Sequence, residues 1–518
     1  MTSGAVTVET TSNKQSSSVP EQNSYGQILK SSAIVGGSST INMALGIVRT
    51  KCLAMLLGPA GVGLMSLFNS ISSTTAAFAG LGVGSSGVRQ IAAANSTDNR
   101  EAIARTIWVL RRTTLLLGVI GALVLIIFSN QISVLTFGHA EHRWAIVLLS
   151  VAVLLEVVAK GQSALVQGMR QVRNLALIGI VGSVVATVVS IPLVYFFQER
   201  GLIPFLLAVS AATAAASWWF ARKIQIPKVT FAWRDTWTEA SALLKLGFVL
   251  TVNGLLAAGV AYVSRILITR QLGVDAAGMY QAAWALSGMY VGFILSAMGA
   301  DFYPRLTASA KDTQESNRLV NEQAEVAILL AAPAILAMLA LAPVVIYTFY
   351  SAKFGPAVDI LCWQSLGLLL RVVAFPLGFL LLAQGQNRIY LVTEVSSNLV
   401  HLGGIWLGLK YWGLPGTGAA YFGLYLFSIV LLSCIAVRLT GFRWSAANRR
   451  LALLILPAVA LVFVFRFTVS DLLVGIVGGT IALAVGLYSV RELSSLAGGS
   501  VVSRFLAKLG IKSNARKN

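Results

Sequence analysis

The stretch that decides the fold is Arg49–Ala94, which reads RTKCLAMLLGPAGVGLMSLFNSISSTTAAFAGLGVGSSGVRQIAAA. An apolar run of about 20 residues crosses a bilayer as a helix, and Gly-Pro favours a turn. We therefore expect the end of one membrane helix, a tight turn at 58–61 and a long second membrane helix. Two cations, Arg49 and Lys51, lie inside the first helix. A cation at bilayer depth costs roughly 2.5–3.5 kcal/mol on insertion scales, so it usually faces a bundle interior or a wet cavity.

The same pattern returns in the second half of the chain, which indicates an internal repeat. The matching residues of the two copies are Leu57, Gly58 and Gly63 with Leu272, Gly273 and Gly278. Arg265 precedes the second copy much as Arg49 precedes the first. Repeats of this size in membrane proteins are typical of transporters. We expect the two arginines to reach similar depths and to share a central cavity.

Composition makes the chain an all-α polytopic membrane protein. Of its 518 residues 56% are hydrophobic and only 11% are charged, with a mean hydropathy of +0.78, whereas soluble proteins carry about 25% charged residues. The net charge of +20 does not indicate nucleic-acid binding, because most of the cations lie in short loops between apolar runs. We expect membrane lipids and no nucleic acid as partners.

The sequence predicts about fourteen transmembrane helices. Their ranges are 31–57, 63–94, 103–128, 144–168, 174–197, 203–221, 243–271, 279–304, 320–350, 358–383, 388–409, 415–438, 450–467 and 471–490. Lys and Arg concentrate in the loops on one side, which indicates that both termini are cytoplasmic.

The helices group into two copies of six with an extension. The expected segments are a disordered cytoplasmic tail at 1–30, an N-terminal lobe of helices 1–6 at 31–221, a cytoplasmic linker at 222–242, a C-terminal lobe of helices 7–12 at 243–438, two extra helices at 439–490 and a basic cytoplasmic tail at 491–518. Six helices is an even number, so the two copies form a parallel repeat about an axis along the membrane normal.

Charges inside the predicted spans are the candidate functional residues. Glu156 and Lys160 are four apart on one helix and should form an ion pair, which either stabilises the lobe or takes part in binding. Arg371 lies about 20 Å from the outer end of its helix, near the midplane, with no acidic partner at helical spacing. Glu394 either carries a proton that couples to transport or has a gating or structural role. Asp301, near a cytoplasmic helix end, is either a gating residue or simply solvated.

An excess of cations predicts an anionic substrate. The candidate ligands for a diphosphate or an acidic sugar are Arg49, Lys51, Lys160, Arg265 and Arg371. Arginine suits phosphate because its fork is bidentate and keeps its proton. Two residues apart on a helix is about 200°, so either Arg49 or Lys51 faces the cavity while the other points outward. We identify no catalytic residues and no metal site, and expect no cofactor.

The segment SAKFGPAVDILCWQSLGLLLRVVAFPLGFLLLAQGQNRIYLVTEVSS at 351–397 resembles, in register, that of the Wzx-type polysaccharide-lipid flippases. These include O-antigen translocases and lipid III flippases, in the polysaccharide transporter branch of the multidrug/oligosaccharidyl-lipid/polysaccharide exporter superfamily. The likeness extends from about residue 30 to 440. The family's lysine before the first turn corresponds to Lys51, and its helix-7 arginine to Arg265 with a one-residue shift. The family has an acidic residue directly after its Trp-Gln-(x2)-Gly pattern, and this chain has Leu368 at that position.

The resemblance implies two six-helix lobes that form a V around a central cationic cavity. The lobes would expose this cavity to the two sides of the membrane in turn. The resemblance also implies flipping of an undecaprenyl-diphosphate-linked oligosaccharide, such as an O-antigen repeat unit, across a bacterial inner membrane. An H⁺ or Na⁺ gradient or the membrane potential would drive it, with a polysaccharide polymerase and a chain-length regulator as possible partners.

Two alternatives remain open. A cation-coupled small-molecule antiporter on the same fold would favour carboxylates over cations in its cavity. A membrane polymerase or ligase would need large outer loops with paired catalytic residues, and every predicted outer loop is short.

Overall fold

The computed structural model describes residues 21–96, 100–224 and 233–496, and these residues are almost entirely helical. The α-helices within them are α1 Glu21–Gly80, α2 Val83–Ser96, α3 Arg100–Ile127, α4 Ser129–Phe137, α5 Arg143–Gly168, α6 Val172–Phe197, α7 Leu202–Ala221, α8 Trp233–Leu272, α9 Val274–Ala308, α10 Thr313–Ala340, α11 Ala342–Phe349, α12 Ala357–Ala383, α13 Asn387–Trp412, α14 Pro415–Thr440, α15 Ala446–Thr468 and α16 Asp471–Leu496. Ten segments of this part of the chain are long and apolar enough to cross a membrane.

Helix α1 contains a kink where the sequence predicted a turn. Gly58 adopts φ 66° and ψ −164°, and helical geometry resumes at Pro59. Glycine tolerates positive φ, and proline suits the first position of a helix because its missing N–H would have no partner there. The predicted turn between two helices is therefore present as a kink at Gly58, while residues 59–61 are helical. The predicted second helix is also interrupted, since Leu81 and Gly82 have φ of 42° and 71° and separate α1 from α2.

The second copy repeats this geometry. Gly273 has φ 86° and ψ 176° immediately before α9, as Gly58 has before the second half of α1. The two copies also touch at this point. A Cβ placed on Gly278 would lie 1.9 Å from the carbonyl oxygen of Pro59, and one on Gly63 would lie 2.2 Å from that of Val274. Only glycine allows these backbones to approach so closely.

Packing divides the helices into an N-terminal group, α1–α7, and a C-terminal group, α8–α14. The hydrophobic core of the C-terminal group includes Ala54 and Val62, which α1 contributes from the N-terminal group. A second close backbone approach joins Gly82 to Gly247 of α8. The final helices, α15 and α16, pack on α10. Arg466 of α15 also donates to the Asp359 carboxylate of α12 over 3.1 Å.

Several predicted boundaries change. Residues 21–30 are helical rather than part of a disordered tail, and 1–20 lie outside the described residues. The short helix α4 occupies an expected loop, and the predicted span 320–350 breaks at Leu341 into α10 and α11. Within the expected linker, 233–242 belong to α8 and 225–232 are outside the described residues. Helix α16 continues to Leu496, beyond which the expected basic tail is not described.

Replacing Gly278 by alanine tests the contact between the copies. Overpacking of this kind costs about 1–3 kcal/mol, so Gly278→Ala should lower the apparent unfolding temperature of the purified protein. The matched control is Gly288→Ala on the same helix, where a Cβ meets nothing within 4 Å. Alanine favours a helix over glycine by up to about 1 kcal/mol, so the control should be neutral or stabilising. Equal unfolding temperatures for the two variants would contradict the assignment.

Candidate substrate-binding site

A cavity of about 920 Å³ lies between α1, α2, α3, α5, α7 and α8. Much of its lining consists of small residues and of side chains with a hydroxyl or amide group. The polar uncharged lining residues are Asn69, Ser72, Ser73, Ser85, Thr114, Ser163, Gln167, Ser210, Thr213 and Thr251. Such groups both donate and accept hydrogen bonds, which suits a polyhydroxylated ligand.

The charged groups of this cavity are Glu156 and Lys160, both on α5. Lys160 Nζ lies 2.9 Å from Glu156 Oε1, so the predicted ion pair forms. The side chains of Lys160 and Glu156 are 52% and 30% exposed, respectively. Because the two charges offset each other, the cavity wall among the described residues has no cationic excess while the pair is intact.

A second, smaller cavity of about 120 Å³ contains Arg371 of α12 and Glu394 of α13. Its other walls include aromatic rings, among them Phe375 and Tyr390. A cation and a carboxylate therefore share one small space, although they belong to different helices. In the described part of the chain, this cavity brings a predicted substrate ligand together with a predicted coupling residue from another helix.

Two tyrosines of α14 engage the Arg371 guanidinium. Arg371 Nη1 donates to the hydroxyl of Tyr421 over 3.3 Å, and its guanidinium lies 5.7 Å from the ring centre of Tyr425. A hydroxyl and an aromatic face both stabilise a cation without supplying a formal charge. Helical spacing around Arg371 could not reveal these partners, because they lie on another helix. No local signal pointed to residues two helices further along the chain.

Arg265 is buried within the C-terminal group. Its Nε and Nη2 donate to Gln281 Oε1 over 3.2 and 2.7 Å, and its Nη1 donates to the Ala261 carbonyl over 2.8 Å. These hydrogen bonds solvate the charge locally. Neither of the two cavities described above is lined by this guanidinium.

Arg49 and Lys51 also lie away from those two cavities. Lys51 Nζ donates to the carbonyl oxygen of Tyr347 in α11 over 2.9 Å. Arg49 is half-buried, and its Nε has no hydrogen-bond partner among the described residues. The structure therefore does not bring the five predicted cations into one cavity, because Lys160 and Arg371 line different cavities and the other three line neither. Asp301 instead forms an exposed pair with Arg305 at 3.2 Å, as expected for a solvated helix end.

The arrangement of helices is shared with known transporters. The lipid II flippase MurJ in an inward closed conformation matches 90% of this chain and 99% of its own, with a TM-score of 0.66 and 13% identity. An inward-facing multidrug resistance MATE family transporter of the MOP superfamily matches 77% of this chain and 96% of its own, with a TM-score of 0.64 and 15% identity. The protein is thus a helical membrane protein with the fold of these transporters. Residues 1–440 make up less than 90% of the chain, so the match to MurJ extends beyond residue 440.

The chain belongs to the polysaccharide biosynthesis protein family, whose model matches residues 52–359. It is also similar to the lipid III flippase of Escherichia coli (strain K12). The two are 26% identical over 416 residues, which cover 77% of this chain and 95% of the flippase. The resemblance proposed from the sequence is confirmed.

The role of the Glu156–Lys160 pair can be tested by a double-mutant cycle with Glu156→Gln and Lys160→Met. Partly exposed ion pairs contribute about 0.2–1 kcal/mol. Each single variant should lower the apparent unfolding temperature, because it leaves one charge without its partner. The double variant should be more stable than the sum of the single effects predicts. Strict additivity in thermal unfolding of the purified proteins would show that the pair does not stabilise the fold.

Proposed function

We propose that this protein is a flippase for a lipid-linked oligosaccharide. Its substrate would be an undecaprenyl-diphosphate-linked repeat unit of the O-antigen or of another surface polysaccharide. The observation that carries this proposal is membership of the polysaccharide biosynthesis family, together with likeness to a lipid III flippase over 95% of that protein's length. The function is transport rather than catalysis.

The geometry supports separate binding surfaces for the sugars and for the diphosphate of the substrate. The hydroxyl-rich cavity of about 920 Å³ suits the sugars. Lys160 at its wall is a candidate for the diphosphate, and substrate binding would compete with Glu156 for it. Arg49, whose Nε has no partner among the described residues, is a second candidate. The prenyl chain would remain in the lipid.

Arg371, Lys51 and Arg265 complete the proposed set of cations. Each is held by protein groups in this conformation, so each would reach the substrate only after the helices rearrange. Arg371 is the strongest of the three candidates, because it lines a cavity and its contacts include a neutral hydroxyl 3.3 Å away. A diphosphate is a stronger acceptor than a phenol and would displace it.

The proposed topology has fourteen crossings. Helices α1–α7 and α8–α14 would form two six-span lobes in a V around a path for the substrate, with α15 and α16 beside the second lobe. Both termini would be cytoplasmic, and the membrane would be the bacterial inner membrane. The lobes would alternate between a conformation closed at the outer end and one closed at the cytoplasmic end.

The energy source follows from charge. Moving each negative charge of a diphosphate outward across an inside-negative membrane is favourable by roughly 2.3 kcal/mol per 100 mV. Coupling to H⁺ or Na⁺ would use Glu394 or Glu156, the two carboxylates that line the cavities described above. Asp301 is a weaker candidate because it is exposed.

A polymerase and a chain-length regulator would act on the flipped product.

Loss of the protein should cause prenyl-diphosphate-linked oligosaccharide to accumulate in the inner leaflet, and wild-type protein should restore export. Arg371→Ala and Arg49→Ala should each slow export about tenfold or more, since a hydrogen bond to a charged group contributes about 1.5–3 kcal/mol. Lys410→Ala is a suitable control, because Lys410 is an exposed cation at the end of α13. The measurement is surface glycan and accumulated precursor at equal protein levels.

Normal export in both arginine variants would remove these residues from the site but not the function. Normal surface glycan without precursor accumulation in the deletion strain would argue against the flippase. An accompanying loss of drug efflux would then support the cation-coupled antiporter.

A further inference from the structure

Each helix group contains one short helix that reaches the opposite group. In the N-terminal group it is α4, Ser129–Phe137, and in the C-terminal group it is α11, Ala342–Phe349. The separation in sequence between the starts of these two helices nearly equals that between Gly58 and Gly273. They are therefore equivalent elements of the internal repeat.

The end of α4 accepts a hydrogen bond from the C-terminal group. Arg270, in the last turn of α8, donates from Nη1 to the carbonyl oxygen of Val134 over 2.8 Å. Gly138, the capping residue of α4, has φ 92°, and a Cβ there would lie 2.8 Å from the same Nη1. The absence of a side chain at Gly138 thus leaves room for the guanidinium. Thr136 and Tyr262 join the same two helices through their hydroxyls, 2.6 Å apart.

The end of α11 accepts the reciprocal hydrogen bond. Lys51 of α1 donates from Nζ to the carbonyl oxygen of Tyr347 over 2.9 Å. Tyr347 lies in the last turn of α11, where carbonyls lack a partner within the helix. In both copies, therefore, a cation on the first long helix of one group binds the C-terminal turn of the short helix of the other.

The physical basis is the same at both contacts. The C-terminus of a helix carries partial negative charge on its last carbonyls, and a nearby cation is stabilised there. The Val134 carbonyl accepts the N–H of Gly138 as well as the Arg270 guanidinium. Neither contact is deeply buried, because both hydrogen bonds lie at the protein surface. Such bonds are strong enough to bias a two-state equilibrium and weak enough to break during each transport cycle.

We propose that Arg270–Val134 and Lys51–Tyr347 are a symmetric pair of latches that hold the outer end of the two lobes closed. The inference rests on the alternating access proposed above. In the proposed topology, Lys51 lies on the outer side in the turns of α1 that precede the Gly58 kink, and Arg270 lies at the outer end of α8. The glycine contact between the copies lies on the same side. Opening outward breaks both latches and frees Lys51, which then becomes available to an anionic substrate on the exit side.

The test measures access to the cavity rather than transport. The three native cysteines are replaced by alanine, and Ser73→Cys places one thiol in the large cavity, about 22 Å below the Gly58 kink. Intact cells are treated with a membrane-impermeant maleimide. Lys51→Gln and Arg270→Gln should each speed labelling from outside about fivefold, and together about 25-fold if the latches are independent.

Three comparisons make the result decisive. Arg200→Gln, an exposed cation between α6 and α7 that takes part in neither latch, should label at the parent rate. Lys51→Arg with Arg270→Lys keeps both charges and should restore slow labelling. Gel filtration of the purified variants shows that they are folded. If the folded double variant labels no faster than Arg200→Gln, the latches do not exist. That outcome leaves the flippase proposal standing, because the assay requires no substrate.

Discussion

The structure depends on a contact between two backbones. Where the two copies of the repeat meet, Gly63 and Gly278 leave no room for even one methyl group, since a Cβ on either would lie 2.2 Å or less from a carbonyl oxygen. This fixes α1 against α9 and places Ala54 and Val62 in the core of the opposite group. Gly58 and Gly273 both have positive φ, and each immediately precedes the helical segment that makes this contact.

A second constraint acts on charges within the apolar helices, and protein groups solvate several of them. Arg265 obtains this from Gln281 and a main-chain carbonyl, and Arg371 obtains it from tyrosines. Local solvation explains why the cations are distributed over several helices instead of crowding one cavity. Mutual repulsion among five cations at one place would have to be offset by a ligand at every moment of the cycle. In the proposed cycle, a distributed set would need the ligand only at the step where each cation meets it.

Much of the fold could be predicted from sequence because hydropathy and glycine spacing are local signals. The repeat, the Glu156–Lys160 pair and most helix boundaries belong to this class. The short helices α4 and α11 could not be predicted so well, since nine and eight residues are too few for a membrane span and hydropathy assigns them to a loop or a longer helix. Partners across the fold, such as Tyr421 for Arg371, have no local signature. The expectation that Arg49 and Arg265 share a cavity rested on their similar depth in the membrane. Similar depth does not require that two side chains face the same space. The hydrogen bonds of Arg265 show that a neighbouring helix can supply acceptors for a buried guanidinium, so that the side chain need not face a cavity.

The last two helices are attached to one side of the molecule. Helices α15 and α16 pack on α10, and Arg466 connects them to Asp359 at the start of α12 with Asp471 3.9 Å away. On the cytoplasmic side of the proposed topology, the amide of Asn448 donates to the carbonyl of Asn321 over 2.9 Å. Anchored near both ends, this pair of helices is attached to the C-terminal group of helices. In the proposed cycle, its lipid-facing surface would move through the bilayer whenever that group moves, so the thickness and viscosity of the surrounding membrane would become part of the friction that sets the rate.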